Sequence, residues 1–238
     1  MGKEVTHLAW FDTFAKDYDQ WYESKLGRFV DRIEKRMIES LARPQRGEEA
    51  LDLGAGTGNY SLWLADQGVH VTGLDLSREM LAIAREKAGD KKVRWVEGDA
   101  HDLPFADGSF HLVISVTALE FMKEPQKVLR EAMRVLKPEG RIVLGLLARE
   151  SPWGELYSSL AAKDPAHLFA KAHLYREEEI PLLLPGVEYT LRKGLYLPPI
   201  NDFDEEEAFA EEAKRSSSDA PGAGFFAVRW DKREEEKG

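Results

Sequence analysis

Leu51-Asp52-Leu53-Gly54-Ala55-Gly56-Thr57-Gly58-Asn59-Tyr60 decides how this chain is read. An apolar stretch runs into closely spaced glycines and then into an amphipathic segment, so the pattern predicts a strand, a tight loop and a helix. Glycine permits the turn, and its missing side chain lets a ligand approach the backbone. Amide groups at the start of the following helix can face a polar ligand group. The glycines fall at 54, 56 and 58, whereas Asn59 occupies the third glycine position of a dinucleotide-binding fingerprint. Asp52, two residues before the first glycine, would repel a pyrophosphate but suits a cationic amine. Together these features favour a cofactor without phosphate.

Working outward, strand candidates at 50–53, 69–75, 93–97, 110–116 and 141–147 alternate with helix candidates near 58–67, 78–88 and 125–136. That alternation indicates βαβ units, hence a parallel sheet with right-handed crossovers. In the last helix Val128, Leu129, Ala132, Val135 and Leu136 share one face, and Lys137-Pro138-Glu139-Gly140 is predicted to stop it. Two late strands, 187–197 and 223–230, flank an acidic helical segment and suggest an antiparallel edge. Before residue 48 two helices are predicted; in the second, Val30, Ile33, Met37, Ile38 and Leu41 recur at helical spacing. The expected fold is α/β: a doubly wound, seven-stranded, mostly parallel Rossmann-like sheet with an antiparallel edge strand and helical additions. The expected division is an N-terminal helical cap (1–47), the α/β core (48–147), a helical substrate cover (148–185) and C-terminal strands completing the sheet, with an acidic tail (186–238).

The 238 residues suffice for one such domain with a small addition. With 33 basic and 43 acidic side chains the formal charge is −10. That excess argues against sequence-independent binding to a nucleic-acid backbone, which needs a basic surface. Residues 201–238 contribute −6 of it, read as a solvated helix and tail. The absence of cysteine excludes disulfides, thiolate metal sites and cysteine nucleophiles, and no metal site is expected. No apolar run resembles a signal peptide or approaches the roughly 20 residues of a membrane span, so a cytoplasmic protein is expected.

Two further strand ends carry acids. Asp75 closes Val69-His70-Val71-Thr72-Gly73-Leu74-Asp75, 17 residues after Gly58, about where a doubly wound fold offers an acid to ribose hydroxyls. Ser77 reads as a helix N-cap, leaving Leu76 and Met80 as apolar neighbours for a ring. Gly98-Asp99-Ala100 follows the third strand; a carboxylate there could accept an adenine amino hydrogen while Ala100 offers a backbone N–H. Gly98-Asp99 gains weight from standing at the third successive strand end, because ligands bind at the carboxyl edge of such sheets.

These residues resemble the class I S-adenosylmethionine-dependent methyltransferases, and within them the group containing the ubiquinone and menaquinone biosynthesis enzymes. Asp52 to Gly58 is similar to their first motif, and Leu74-Asp75-Leu76-Ser77 with Met80 to their ribose segment. Gly98-Asp99-Ala100, Leu103-Pro104-Phe105 and Asp107-Gly108-Ser109-Phe110 are similar to their adenine loop and fourth-strand entry. Leu129-Arg130-Glu131 through Arg134-Val135-Leu136-Lys137-Pro138-Glu139-Gly140-Arg141 looks like the helix and turn before their fifth strand. The match spans roughly 48–147 with every motif in order.

The resemblance implies S-adenosylmethionine as cofactor and S-adenosylhomocysteine as product. It implies that Asp52 and Gly54 hold the methionine end, with Ala55 and Gly56 in the same loop. Asp75 would hold the ribose, and Asp99 with Ala100 the adenine, whose ring Leu76, Met80 and Leu103 would sandwich. Val116 would lie near the sulfonium. Phe14-Ala15-Lys16-Asp17-Tyr18-Asp19 looks like the group's helix preceding the domain, which would put Tyr18 beside the cofactor, with core packing as its plain alternative. Many relatives have a histidine after the fourth strand, but this chain reads Thr117-Ala118-Leu119-Glu120-Phe121, so no histidine base carries over.

Methyl transfer from a sulfonium needs alignment and dryness more than acid or base chemistry, so no catalytic residue is assigned. Glu120 is the best-placed acid, with a solvated or salt-bridged helix position as its plain alternative. His7, His167 and His173 read as surface or packing residues. An acceptor pocket is expected from 1–40 and 148–185, where Trp10, Phe11, Trp21, Tyr22, Trp153, Tyr157, Phe169 and Tyr175 either pack the accessory helices onto the sheet or, in the pocket, favour an apolar or aromatic small molecule. The competing readings are a non-catalytic cofactor-binding regulatory module and a nicotinamide-dependent oxidoreductase.

Overall fold

Seven strands form one sheet in the order β3-β2-β1-β4-β5-β7-β6 in the computed structural model, which describes residue 15 and residues 19–233. The strands are β1 (Glu49–Leu53), β2 (His70–Asp75), β3 (Val93–Glu97), β4 (Phe110–Val116), β5 (Leu136–Leu147), β6 (Tyr189–Gly194) and β7 (Phe225–Asp231). The first five pair in parallel, and β7 runs antiparallel to both β5 and β6. The helices are α1 (Gln20–Glu23), α2 (Lys25–Ala42), α3 (Asn59–Asp66), α4 (Arg78–Ala88), α5 (Pro125–Val135), α6 (Pro152–Lys163), α7 (Ile180–Leu183) and α8 (Glu205–Ser217).

Strand alternation divides the core between the two faces of the sheet. Leu51, Leu53, Val113, Ile142 and Leu144 pack under α5, where Val128, Leu129, Ala132 and Val135 are completely buried. Ala50, Leu112, Ile114 and Val143 face the other way, onto α2 and Trp153. Ser24 caps α2 by accepting the Gly27 N–H at 2.8 Å, and Arg43 ends it in a left-handed conformation. Because strands β1 to β3 build outward on one side and β4 onward on the other, the chain reverses direction between β1 and β4. Ligands bind at such a switch point, above the strands' carboxyl ends.

Two strands depart from expectation by three residues or more, each for a local reason. β5 begins at Leu136, not 141, because Lys137-Pro138-Glu139-Gly140 forms a bulge within the strand instead of a helix stop. Phe110 pairs with Leu136 and Leu112 with Arg141, which displaces the register, and Glu139 takes a φ of 60°. β6 spans 189–194 and not 187–197. Its continuation leaves the ladder because the N–H groups of Leu195, Tyr196 and Leu197 donate to the buried Glu212 carboxylate of α8.

Candidate active site

The carboxyl ends of β1, β2 and β4 and the loop after β3 enclose a cavity of ≈ 310 Å³. Asp52, Gly54, Ala55, Gly56, Asp75, Leu76, Met80, Asp99, Ala100 and Val116 all line it. Leu103 does not. It is buried in the core beneath α5, its N–H donating to Glu131 at 2.9 Å and its carbonyl accepting from Arg134. Tyr18 lies outside the described residues.

The glycine loop is shaped by backbone conformation. Gly54 and Gly56 have φ of 73° and 54°, which side-chain-bearing residues rarely adopt. A Cβ on Gly54 would come within 2.5 Å of Ala118. One on Gly56 would meet nothing nearer than 4.0 Å and would stand in the cavity. Asp75 fixes this loop to β2: its carboxylate accepts the Gly56 N–H and the Ser77 N–H, each at 2.8 Å. Ser77 in turn caps α4 through Met80 N–H. The loop is also tied from outside, where Lys87 bonds Asp19, Thr57 and Asn59 together.

The cavity's acids differ in character. Asp52 is buried and accepts the Ser61 hydroxyl at 2.6 Å. Desolvation, reinforced by the nearby Asp75, pushes its carboxyl up to about 7. Asp99 is also partly desolvated, but bonds from the backbone and ring of His101 outweigh that and hold it below the ordinary carboxylate range. The far side of the His101 ring meets the Lys123 carbonyl; both residues line the cavity, so they bridge its rim.

A second cavity of ≈ 400 Å³ adjoins the first, and Tyr22, Thr117 and Phe121 line both. Its other walls mix aromatic with aliphatic side chains: Trp21, Trp153, Tyr157 and Phe169, the last two with centroids 4.0 Å apart, stand among Val30 and several leucines. Thr117 has a φ of 48°, an outlying conformation for a β-branched residue, and its N–H is anchored on the Gly145 carbonyl at 2.8 Å. The turn after β4 therefore puts a strained residue at the junction of the two spaces.

Several residues fall differently from their sequence reading. Glu120 is neither solvated nor salt-bridged. It is buried, accepts the Leu147 N–H at 2.7 Å, and its Oε2 has no hydrogen-bond partner. His167 lines the second cavity, whereas His173 stays at the surface as read, paired with Glu179. Tyr175 is buried beside Glu120 instead of lining either space. His7, Trp10 and Phe11 lie outside the described residues. Glu34 was not singled out, yet it lines the second cavity. A signal for it existed: it stands on the apolar stripe of α2, four residues after Val30 and three before Met37.

A family profile described as a methyltransferase domain matches residues 51–144. A demethylmenaquinone methyltransferase of Clavibacter sepedonicus is 42% identical over 137 residues, 57% of this chain and 56% of that protein. The chain thus spans about half the length of that relative. A protein of Methanocaldococcus jannaschii is 32% identical over 170 residues, 71% of this chain and 76% of that one. The chain belongs to the class I S-adenosylmethionine-dependent methyltransferases. A solved methyltransferase of this class from Thermotoga maritima, described as a possible histamine N-methyltransferase, shares the fold. Its TM-score is 0.75 at 24% identity, covering 95% of this chain and 100% of that one. S-adenosylmethionine is the cofactor of this family, which sets aside the nicotinamide reading. The cavity above the glycine loop has the chemistry that cofactor needs: Gly56 leaves the loop wall open, and the carboxylates of Asp52, Asp75 and Asp99 among its lining are acceptors of the kind an ammonium and a diol require.

Proposed function

We propose that this methyltransferase transfers a methyl group to a small organic acceptor held in the aromatic cavity. The observation that carries the reading is the junction at Tyr22, Thr117 and Phe121, which line both the cavity above the glycine loop and the apolar chamber beside it. When bound, the cofactor supplies a methyl group on a positively charged sulfur. Asp52 and Gly54 would hold its ammonium end, with Ala55 and Gly56 forming the loop wall. Asp75 would accept from the ribose hydroxyls. Asp99 and Ala100 would receive the adenine edge, with Leu76 and Met80 against the ring and Val116 near the sulfur.

The second cavity would align the acceptor and exclude water, a contribution of roughly 7–11 kcal/mol in favourable cases. Both relatives named for an activity are named for small acceptors, a demethylated quinone and histamine. No helix among the described residues is long and apolar enough to cross a membrane.

The test is turnover. Incubating the protein with S-adenosylmethionine and a panel of aromatic small molecules should release S-adenosylhomocysteine together with a product one methylene heavier. Tight cofactor binding without turnover on small, protein or RNA acceptors would favour the regulatory module instead.

A further inference from the structure

We propose that the acceptor is a small aromatic amine whose nitrogen is received by the Glu34 carboxyl in the wall of the second cavity. This rests on the methyltransferase reading and specifies its substrate class.

Glu34 is only 6% exposed, and its carboxyl meets the Tyr60 hydroxyl at a long 3.4 Å. No other hydrogen-bond partner meets it among the described residues. Tyr60 lines the cofactor cavity while Glu34 lines the aromatic one, so the carboxyl stands at the partition between them. An acid in an apolar wall is costly to bury without a partner. The groups facing Glu34 relieve it only in part: the Tyr60 hydroxyl and the Lys35 ammonium favour its charged form, but more weakly than burial and neighbouring acids oppose it. Asp31 and Lys35 lie on its own helix, and Lys35 is engaged with Asp31 at 2.8 Å. Tyr60 approaches from α3 and Glu120 from the turn after β4. Desolvation, then repulsion from Asp31 and Glu120, pushes the Glu34 carboxyl up to about 8.

Such a site selects for charge. A phenolate or carboxylate would add a negative group beside Glu34 and Glu120, whereas an ammonium would neutralise one. Aromatic faces also attract cations, and Trp21, Tyr22, Trp153, Tyr157 and Phe169 supply them. An ammonium has no lone pair with which to attack. Transfer of one N–H proton to the Glu34 carboxylate yields neutral amine and carboxylic acid. The nitrogen pair then forms the N–C bond while the C–S pair remains on sulfur, so sulfonium becomes thioether and the product carries the positive charge.

The test is calorimetric titration of the protein saturated with S-adenosylhomocysteine, using tryptamine and 2-phenylethylamine against their alcohol analogues, tryptophol and 2-phenylethanol. At pH 8 the amines should bind at least tenfold more tightly than the alcohols. Their affinity should rise between pH 6 and pH 8 with release of protons, while that of the alcohols stays flat. Glu34→Gln should bring the amines to the alcohols' level and abolish the pH dependence; Glu34→Asp should restore part of both. Unchanged S-adenosylhomocysteine affinity in these variants reports an intact fold. With S-adenosylmethionine, Glu34→Gln should lower kcat/KM for any methylated amine at least a hundredfold. Amines binding no better than alcohols to the wild type, or a Glu34→Gln variant keeping the pH dependence, would overturn the proposal. Failure of the wild type to bind S-adenosylhomocysteine would overturn the cofactor reading beneath it.

Discussion

At the scale of single residues, Asp75 and Glu34 show how position and environment divide the work of carboxylates. Asp75 ends β2 and grips the glycine loop through Gly56 while lining the cavity. A charge-assisted hydrogen bond contributes about 1.5–3 kcal/mol, so Asp75→Ala should weaken S-adenosylhomocysteine binding roughly tenfold. Calorimetric titration measures this, with an unchanged circular dichroism spectrum as the control; unaltered affinity would remove Asp75 from the site. The acids at 52, 75 and 99 were legible in the sequence because each lies at or just past the carboxyl end of a strand in a parallel sheet, and topology brings such ends together. Glu34 and Glu120 were not legible as buried acids. Their environment depends on how α2 and the turn after β4 settle against the sheet, which no local pattern reports. Leu103 was misread for the same reason: adjacency to the adenine loop did not say which way the side chain would go.

At the scale of elements, the sheet's hydrophobic alternation was readable and its interruptions were not. α4 matches its predicted range, 78–88, because Ser77 caps it and apolar residues recur on one face. The bulge in β5 looked like a helix stop, since Pro138 and Gly140 favour either. β6 ended early because Glu212, 15 residues beyond Leu197, takes its N–H groups, a contact across the chain that sequence periodicity cannot register. The junction between α2 and the sheet depends similarly on one side chain. Arg141 of β5 pairs with Glu48 at 2.8 Å and donates to the carbonyls of Ala42 and Arg43 at the end of α2. Arg141→Ala would leave those acceptors without their cation. The pair is partly solvated, so the expected cost is about 2 kcal/mol, below that of a fully buried pair. For a chain of this size that lowers Tm by roughly 4–8 °C, measurable by scanning calorimetry; a shift under about 1 °C would contradict the assigned role.

At the scale of the whole molecule, the buried acids make stability depend on pH. Burial is the leading cause that pushes Asp52 and Glu120 up to about 7 and Glu34 to about 8. In the unfolded chain such groups titrate near pH 4. Between about pH 4 and 8 the folded chain therefore binds protons that the unfolded chain has released, and stability falls as pH rises through that window. Glu48, Asp99, Glu131 and Glu179 are held low instead, and their contribution is lost only in more acidic solution. The cofactor-free protein should thus melt several degrees lower at pH 8 than at pH 5.5, by scanning calorimetry. A Tm that rises across this interval would mean that the three acids are not buried together in solution.

The cofactor cavity is the centre from which the acceptor chamber and its acid take their meaning. Isothermal titration of the wild-type protein with S-adenosylmethionine and S-adenosylhomocysteine tests it most directly. Binding of both with one site per chain and micromolar affinity is the predicted result. No heat and no thermal stabilisation by either, in a folded sample free of carried-over ligand, would contradict it and leave the glycine loop as a turn between strand and helix.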